Sequence, residues 1–584
     1  MTDPEENSNK VVDSEVSSDE TSLHIMTNDD ESQFDSLVEV KKVKLPDSDK
    51  NNTKDHEYKR FVRIRKALDY WWNNTLLRNL SIFIIIASVI SAALIPYSRY
   101  AVLNLFGTRV TTNITILDEK SDLPLKNVQI TIQGKSLQTN KDGVVEIKDL
   151  KLGSSDIIVE KRAFATQKHN VVLGWGSNQL KPYRLTPTGS RYAYVVTDWL
   201  SGKPIKGAEL STQYSDATSA EDGKLILTID SSDDEVIGNL KSPSYIDQKI
   251  TINKDSKSET LVKMVANKKH IFISKRSGKY DIYSVNPDGT DEKLVLSGTG
   301  NERDDMVIVV HPTKDVFALV STRDGQRNND GFVKSGLYIV DLKDGKPYNI
   351  AASEQFHILG WLGDRLGYVQ IKEGASATNP KRNRLISYNL FDDTKTELAA
   401  SNYFNDVLIA SGSIYYAPSN AFLENSAAYL YRVNPDGSSK TTIMDKEAWN
   451  VFRVGYDHFK ISYQNDWYDF VLNDSKAVKS QSPPVVLKTR IYIDSPDKKH
   501  ALWSDSRDGK GVLLYYDITT KLDKTIASMP GLKLPVTWLD NTHVVFRVSN
   551  PSESADYALN IEGGNPVKIK DVSDTSGVDR WYYY

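Results

Sequence analysis

The 584-residue sequence predicts a mainly β protein: two tandem β modules and a C-terminal β-propeller, preceded by one transmembrane α-helix and a disordered tail. Three observations predict it. An uncharged apolar run stands near the N-terminus, one pattern repeats at an offset of 80 residues, and another recurs every 46–49 residues or so.

Residues 1–57 form an acidic segment poor in aromatics. Residues 1–40 hold twelve Asp/Glu against one lysine, net −11 within a whole-chain charge of −4. Such a stretch has too little apolar surface to offset its ordering entropy, and is expected to be a disordered cytoplasmic tail. Ser17, Ser18 and Thr21 stand among its acids as candidate phosphorylation sites, a plain solvated tail being the simpler expectation. Over 58–78, Phe61, Ile64, Leu68, Trp71 and Trp72 interleave with Arg60, Arg63, Arg65 and Lys66. That spacing predicts a basic amphipathic helix against anionic lipid of the inner leaflet.

Residues 79–98 carry no charge between Arg78 and Arg99, and ten of the twenty are Leu, Ile, Phe or Val. Twenty residues make about 30 Å of helix, the thickness of a hydrocarbon core. On the insertion scale those ten residues contribute roughly 3–6 kcal/mol, more than the serines and Asn79 cost. The stretch is therefore expected to be a membrane span, with the bilayer as the partner of residues 79–98. Lys59, Arg60, Arg63, Arg65, Lys66 and Arg78 precede it, whereas only Arg99 and Arg109 follow closely. The positive-inside rule then keeps the N-terminus in the cytoplasm and exports the rest: a single-pass protein of the cell membrane. A cleaved signal peptide using Ser91 and Ala93 is the alternative, and it would need an n-region of about eighty residues.

The sequence has no cysteine, which excludes disulfides, thiolate catalysis and Cys-ligated metals. Thirty tyrosines and ten tryptophans suit a β-rich answer. Outside the acidic tail the charge is close to balanced, so no nucleic-acid footprint is expected.

Beyond the span, Leu123-Pro124-Leu125-Lys126 is matched by Lys203-Pro204-Ile205-Lys206, and Asp142-Gly143 by Asp222-Gly223, both at an offset of 80. Short alternating strands lie between these marks, divided by Asp-Gly and Pro turns. The pattern resembles the carboxypeptidase regulatory-like family, most closely in the first copy, which also has Thr139, Leu150 and Gly153. The resemblance implies two prealbumin-like β-sandwiches, 108–187 and 188–266, serving as spacers or docking modules rather than catalysts.

From 267 to 584 a second period takes over. Asn286-Pro287-Asp288-Gly289 recurs at Asn434–Gly437, and Ser321-Thr322-Arg323-Asp324-Gly325 recurs as Asp505-Ser506-Arg507-Asp508-Gly509. Each unit reads as four short strands. The motif resembles the TolB and WD40-like Pro-Asp repeats. Second strands are expected at Ile271, Val316, Leu366, Ile414, Lys460, Ala501 and Val544, giving seven blades, with six or eight as alternatives. The first unit lacks its own first strand, and Val578–Tyr584 is expected to supply it and close the ring.

Catalytic motifs are missing. The nine histidines form no metal-binding pair at i, i+4, and no Gly-x-Ser-x-Gly elbow or phosphate loop occurs. The prolyl-oligopeptidase group, which the layout also resembles, places a hydrolase domain after its propeller; none is read in this sequence, so peptidase activity is not expected. No catalytic, cofactor-binding or metal-binding residue is assigned, and no cofactor is expected. Two acidic loops, Asn301–Asp305 and Asp324–Asp330, carry enough oxygens to be weighed as Ca²⁺ sites, although turns favour the same residues. Arg276, Arg323 and Arg507 sit at equivalent strand ends and read as structural partners of carboxylates. The expected function is binding of an extracytoplasmic protein, peptide or envelope glycan at the propeller face. A propeller-based hydrolase or lyase, and a surface sensor signalling through the tail, are the alternatives. The resemblances and the missing cysteines together imply a bacterial cell envelope.

Overall fold

The computed structural model describes residues 65–575 except 177, 257, 423–426 and 482–487. The expected disordered tail, the start of the 58–78 helix and the closing strand Val578–Tyr584 lie outside the described residues. The chain divides into two units, Met1–Ser91 and Ala92–Tyr584.

Helix α1 spans Arg65–Asn73 and α2 spans Thr75–Leu94, with a bend of 97° between α1 and Thr75–Ser91. The helical boundaries thus differ from the expected 58–78 and 79–98. Asn74 causes the break, because its Oδ1 accepts the free N–H groups of Leu76 and Leu77 and starts a new helix. At the other end Ile95 is extended, as a residue before proline prefers, and α3 restarts at Pro96–Leu105. Among the described residues no single helix is long and apolar enough to cross a membrane; α1 and Thr75–Ser91 reach that standard only together. Phe83, Ile84, Ile85, Ile86, Val89 and Ile90 of α2 are exposed.

Helix α3 belongs to the first β module. Tyr100 and Leu103 pack on that module's core, and Asn104 bonds both the N–H and the carbonyl of Leu152 at 2.9 Å. Two sheets enclose this core. One joins Gln129–Ile132, Lys135–Gln138, Gly153–Glu160 and Gln167–Leu173; the other joins Val110–Asp118 and Val144–Leu150 with two short strands. Period-two alternation sends Ile114, Ile116, Ile130, Ile132, Ile147 and Ile157 inward, where they are fully buried.

The second module repeats this plan. Strands begin at Val110, Gln129 and Val144 in the first module and at Ser190, Glu209 and Lys224, each 80 later, in the second. The shared Asp-Gly turn has a steric cause. Gly143 and Gly223 have φ of 70° and 76°, and a Cβ there would stand 2.6 and 2.5 Å from the carbonyls of Ile116 and Val196. Thr139 has a counterpart in Ser219. Each hydroxyl donates to a carbonyl at 2.6 Å, Leu125 or Ile205, and accepts from the N–H of Val128 or Ala208.

Among the described residues, seven antiparallel sheets follow, covering 270–296, 307–353, 356–401, 404–444, 450–479, 493–529 and 532–571. The first has three strands and the others four, in sequential order. The seven expected second-strand residues, Ile271 to Val544, fall in the second strand of the six four-stranded sheets and in the first strand of the three-stranded one. Apolar clusters link each sheet to the next: Ile271 and Ile282 with Phe317 and Tyr338, for example, or Val369 and Leu385 with Phe404 and Tyr416. The last sheet meets the first through Val545, Ala558 and Ile569 against Phe272 and Val285. The sheets therefore form a closed ring.

Polar contacts seal the same seam. His270 of the first sheet bonds the fully buried Asp556 of the last at 3.0 Å, and Arg547 grips that carboxylate with two further bonds. Past the last strand, the Ser573 N–H donates to the carbonyl of Ile273 at 2.9 Å. Ser573 thus reaches the edge of the first sheet that lacks a first strand.

Candidate functional site

First strands of consecutive sheets touch one another, 356–362 with 404–410 and 404–410 with 450–453, so they surround the ring axis. Antiparallel order then sorts the loops onto two faces. Connections between first and second strands, and between third and fourth, share one face. The second-to-third connections and the sheet-to-sheet crossings share the other.

The second module covers part of the first face. Its Asp198 accepts from His543 Nε2 at 2.7 Å and from Asn560 Nδ2 at 3.2 Å, and His543 Nδ1 bonds Asp540 at 2.8 Å. Leu200 and Trp199 join the apolar cluster at the ring seam. Two carboxylates on a buried imidazole outweigh the burial that would discharge it, and raise the His543 pKa to about 9. The same charge brings Asp198 down to about 2 despite its burial.

Among the described residues, the modules make no bond to the other face, called the open face below. It carries exposed Phe332, Phe422, Trp449 and Ile491 in its loops. Glu447 accepts from Asn405 Nδ2 and from the Asn420 N–H. Lys533 and Ser549 both bond Asp574 at 2.9 Å.

Two first-strand carboxyls are perturbed. Burial pushes Asp406 up to about 6, opposed by the Val451 N–H and by His357. Burial likewise raises Asp494, against the Arg453 guanidinium. Arg453 is itself buried, giving two bonds to the Tyr456 carbonyl and stacking over Tyr456 and Tyr492. Asp406 accepts from Val451 and Asp494 feels the charge of Arg453, both on the strand Asn450–Arg453, yet neither lines the open-face pocket of about 140 Å³. That pocket is walled instead by Arg303, Asp305, Thr322, Arg327, Phe332, Ser335 and Glu354, among others. Perturbed carboxyls in one cavity would be the mark of acid–base chemistry, and here cavity and perturbed carboxyls are separate.

Each acidic loop spends one side chain's oxygens on its own backbone. Glu302 accepts the N–H groups of Thr299 and Gly300 at 2.7 Å, and Asn328 Oδ1 those of Asp330 and Phe332. Among the described residues no group of three His, Asp or Glu converges to hold a metal. Of the three equivalent arginines, Arg276 pairs with Glu292 over the Tyr283 ring and Arg507 lies 3.8 Å from Asp505. Arg323 Nη2 reaches the Ser297 carbonyl at 3.5 Å. Sequence reasoning missed Asp198, His543, Asp406 and Asp494, because their partners lie in other repeats and no local motif marks them.

A ring of sequential antiparallel sheets, with loops gathered on an open face, defines the class: a β-propeller preceded by two β modules. No protein-family model and no curated protein sequence matches the chain. Among solved structures it is similar to TolB from Acinetobacter baumannii, at 11% identity over 62% of this chain and 81% of that one, TM-score 0.33. It is also similar to the propeller domain of the trilobed protease from Pyrococcus furiosus, at 12% identity over 59% and 95%, TM-score 0.34. Oligogalacturonate lyase from Vibrio parahaemolyticus gives 12% over 63% and 87%, TM-score 0.26. Such distant likenesses carry nothing about activity to this chain.

Proposed function

We propose that this is a membrane-anchored surface protein whose seven-bladed propeller binds a protein, peptide or envelope glycan on its open face. The two modules act as carboxypeptidase regulatory-like β-sandwich spacers. One observation carries the reading: the second module occupies one face of the ring and leaves the other uncovered, with Phe332, Phe422, Trp449 and Ile491 exposed there. Exposed aromatics beside polar groups suit peptide or sugar recognition. The seven sheets and the seam at Ser573 support seven blades closed by the C-terminal segment. Anchoring is supported by the uncharged run at 79–98, by the exposed apolar side chains of α2, and by the basic residues that precede it.

Capture of envelope protein and glycan fractions by the full chain in detergent tests the binding role. Trp449→Ala and Phe422→Ala should weaken capture about tenfold, the loss of one anchoring contact. Equal capture by wild type and both variants overturns the open face as the site. Protease shaving of intact cells should remove 99–584 and spare 1–78; the reverse pattern overturns the topology.

The alternative of a hydrolase or lyase has one observation in its favour, the Asp406 carboxyl held near 6 beside His357. Envelope glycan turnover that Asp406→Asn abolishes would favour it.

A further inference from the structure

The open-face pocket beside the second ring sheet has an unusual charge arrangement. Its volume of about 140 Å³ equals four or five waters at ~30 Å³ each, room for one small polar group. Two guanidiniums, Arg303 and Arg327, and two carboxylates, Asp305 and Glu354, line it. Opposite charges around so small a space ordinarily close on one another, yet no ion pair forms among these four. Arg303 and Asp305 make no hydrogen bond or ion pair with any described residue. Glu354 Oε1 accepts from Asn328 Nδ2 at 3.0 Å, but its Oε2 is buried without a partner. Leaving such an oxygen unmatched costs about 1–3 kcal/mol or more.

The wall is preorganised. Arg327 pairs with Val333 in an isolated bridge, and its Nη1 donates to the Gly331 carbonyl at 2.6 Å. The Asn328 N–H donates to the Phe332 carbonyl, and the Lys334 N–H to that of Gln326. The loop is thus a small hairpin that holds Arg327 and Phe332 at the pocket rim.

We infer that this pocket binds a small zwitterion, the adjacent ammonium and carboxylate of an amino acid, with Glu354 and Asp305 taking the ammonium and Arg303 and Arg327 the carboxylate. A lone anion would face two carboxylates, and a lone cation two guanidiniums. Only a ligand carrying both charges a few bonds apart satisfies both walls within this volume. The inference deepens the reading of the open face as the binding face and rests on it.

Isothermal titration of the full chain in detergent micelles tests it, with L-alanine, D-alanine, acetate, methylamine and dialanine as probes. Alanine should bind, with acetate and methylamine at least about tenfold weaker because each leaves one wall unmatched. Dialanine should also bind more weakly, since its termini stand further apart. Glu354→Gln and Arg303→Ala should each weaken alanine about tenfold, while Phe391→Ala on the opposite face leaves it unchanged. Arg303 is exposed and makes no hydrogen bond or ion pair with a described residue, so its variant is expected to fold even if that of Glu354 does not. No alanine binding, or equal binding of acetate, overturns the inference. Envelope capture without alanine binding overturns the pocket alone; alanine binding without capture upholds the pocket and overturns the wider reading.

Discussion

Asp198 of the second module and His543 of the ring lie 345 residues apart in sequence and 2.7 Å apart in space. Both are almost wholly buried. The position is not arbitrary within the repeat. Its counterpart 80 residues earlier, Asp118, is equally buried and accepts from Arg191 of the second module at 3.1 Å. Each module therefore ends its first strand on a buried aspartate that takes a cation from the domain that follows. Both aspartates also cap the next turn, through the N–H groups of Lys120 and Ser121 or of Ser201. One residue thus fixes a turn and a domain joint together, which suits a stiff spacer.

The two joints should differ in their response to pH. Arginine stays charged throughout, whereas His543 titrates. Its folded pKa of about 9 lies above the ordinary 6.5, so its contribution is complete below 6.5 and is lost as pH rises through 9. Asp198, lowered to about 2 from 3.8, contributes fully above 3.8 and loses its contribution as pH falls through 2. The ring joint should be tightest between about pH 4 and 6.5. Hydrogen exchange at Trp199–Ser201 should accelerate from pH 7 to 10 after correction for the intrinsic rate, with no matching change at Glu119–Ser121.

Removing either cation should leave a buried charge without its partner. His543→Ala and Arg191→Ala are each expected to destabilise the joint they serve by about 3–5 kcal/mol. Asp540 and Asn560 would be left facing Asp198 in the first case. Limited proteolysis is the readout. New cleavage near 264–269 in His543→Ala, and near 186–189 in Arg191→Ala, is expected; wild-type patterns for both would show that the aspartates serve only their turns.

Ring closure rests on described contacts that a single change can remove. Ser573→Pro deletes the N–H that reaches the Ile273 carbonyl, and should cost about 1–3 kcal/mol. Asp556→Ala strips the partner from His270 and Arg547 together and should cost more, about 3–5 kcal/mol. Denaturant unfolding followed by tryptophan fluorescence should place the two midpoints in that order, both below wild type.

Much of this architecture is legible in the sequence because its causes are local. The Asp-Gly turns at Gly143 and Gly223 are dictated by positive φ and a carbonyl too close to admit a Cβ, so they recur at the same offset. The second strands from Ile271 to Val544 are runs of β-branched and aromatic residues, whose period shows even where the loops have drifted. What escapes is set by distant partners. Nothing near Asp198 announces His543, and the break at Asn74 depends on one side chain competing with a helix that composition favours on both sides. The pocket escapes as well, because Arg303, Arg327 and Glu354 belong to three different connections.

Asp406 offers the sharpest division between a structural and a chemical role for the ring centre. Its carboxyl is raised to about 6 from 3.8, chiefly by burial. Between those values the folded chain holds a proton that the unfolded chain has released, so stability must fall as pH rises through that window. Asp406→Asn removes the penalty and keeps an oxygen for the Val451 N–H, which Oδ2 now accepts at 3.2 Å. The variant should therefore melt at a higher temperature than wild type above pH 6, and alike below about pH 4. A charge that costs stability here leaves room for a role other than stability. If Asp406→Asn melts higher yet captures envelope material as wild type does, that purpose lies in chemistry at the axis; if capture falls with the charge, Asp406 serves the binding face.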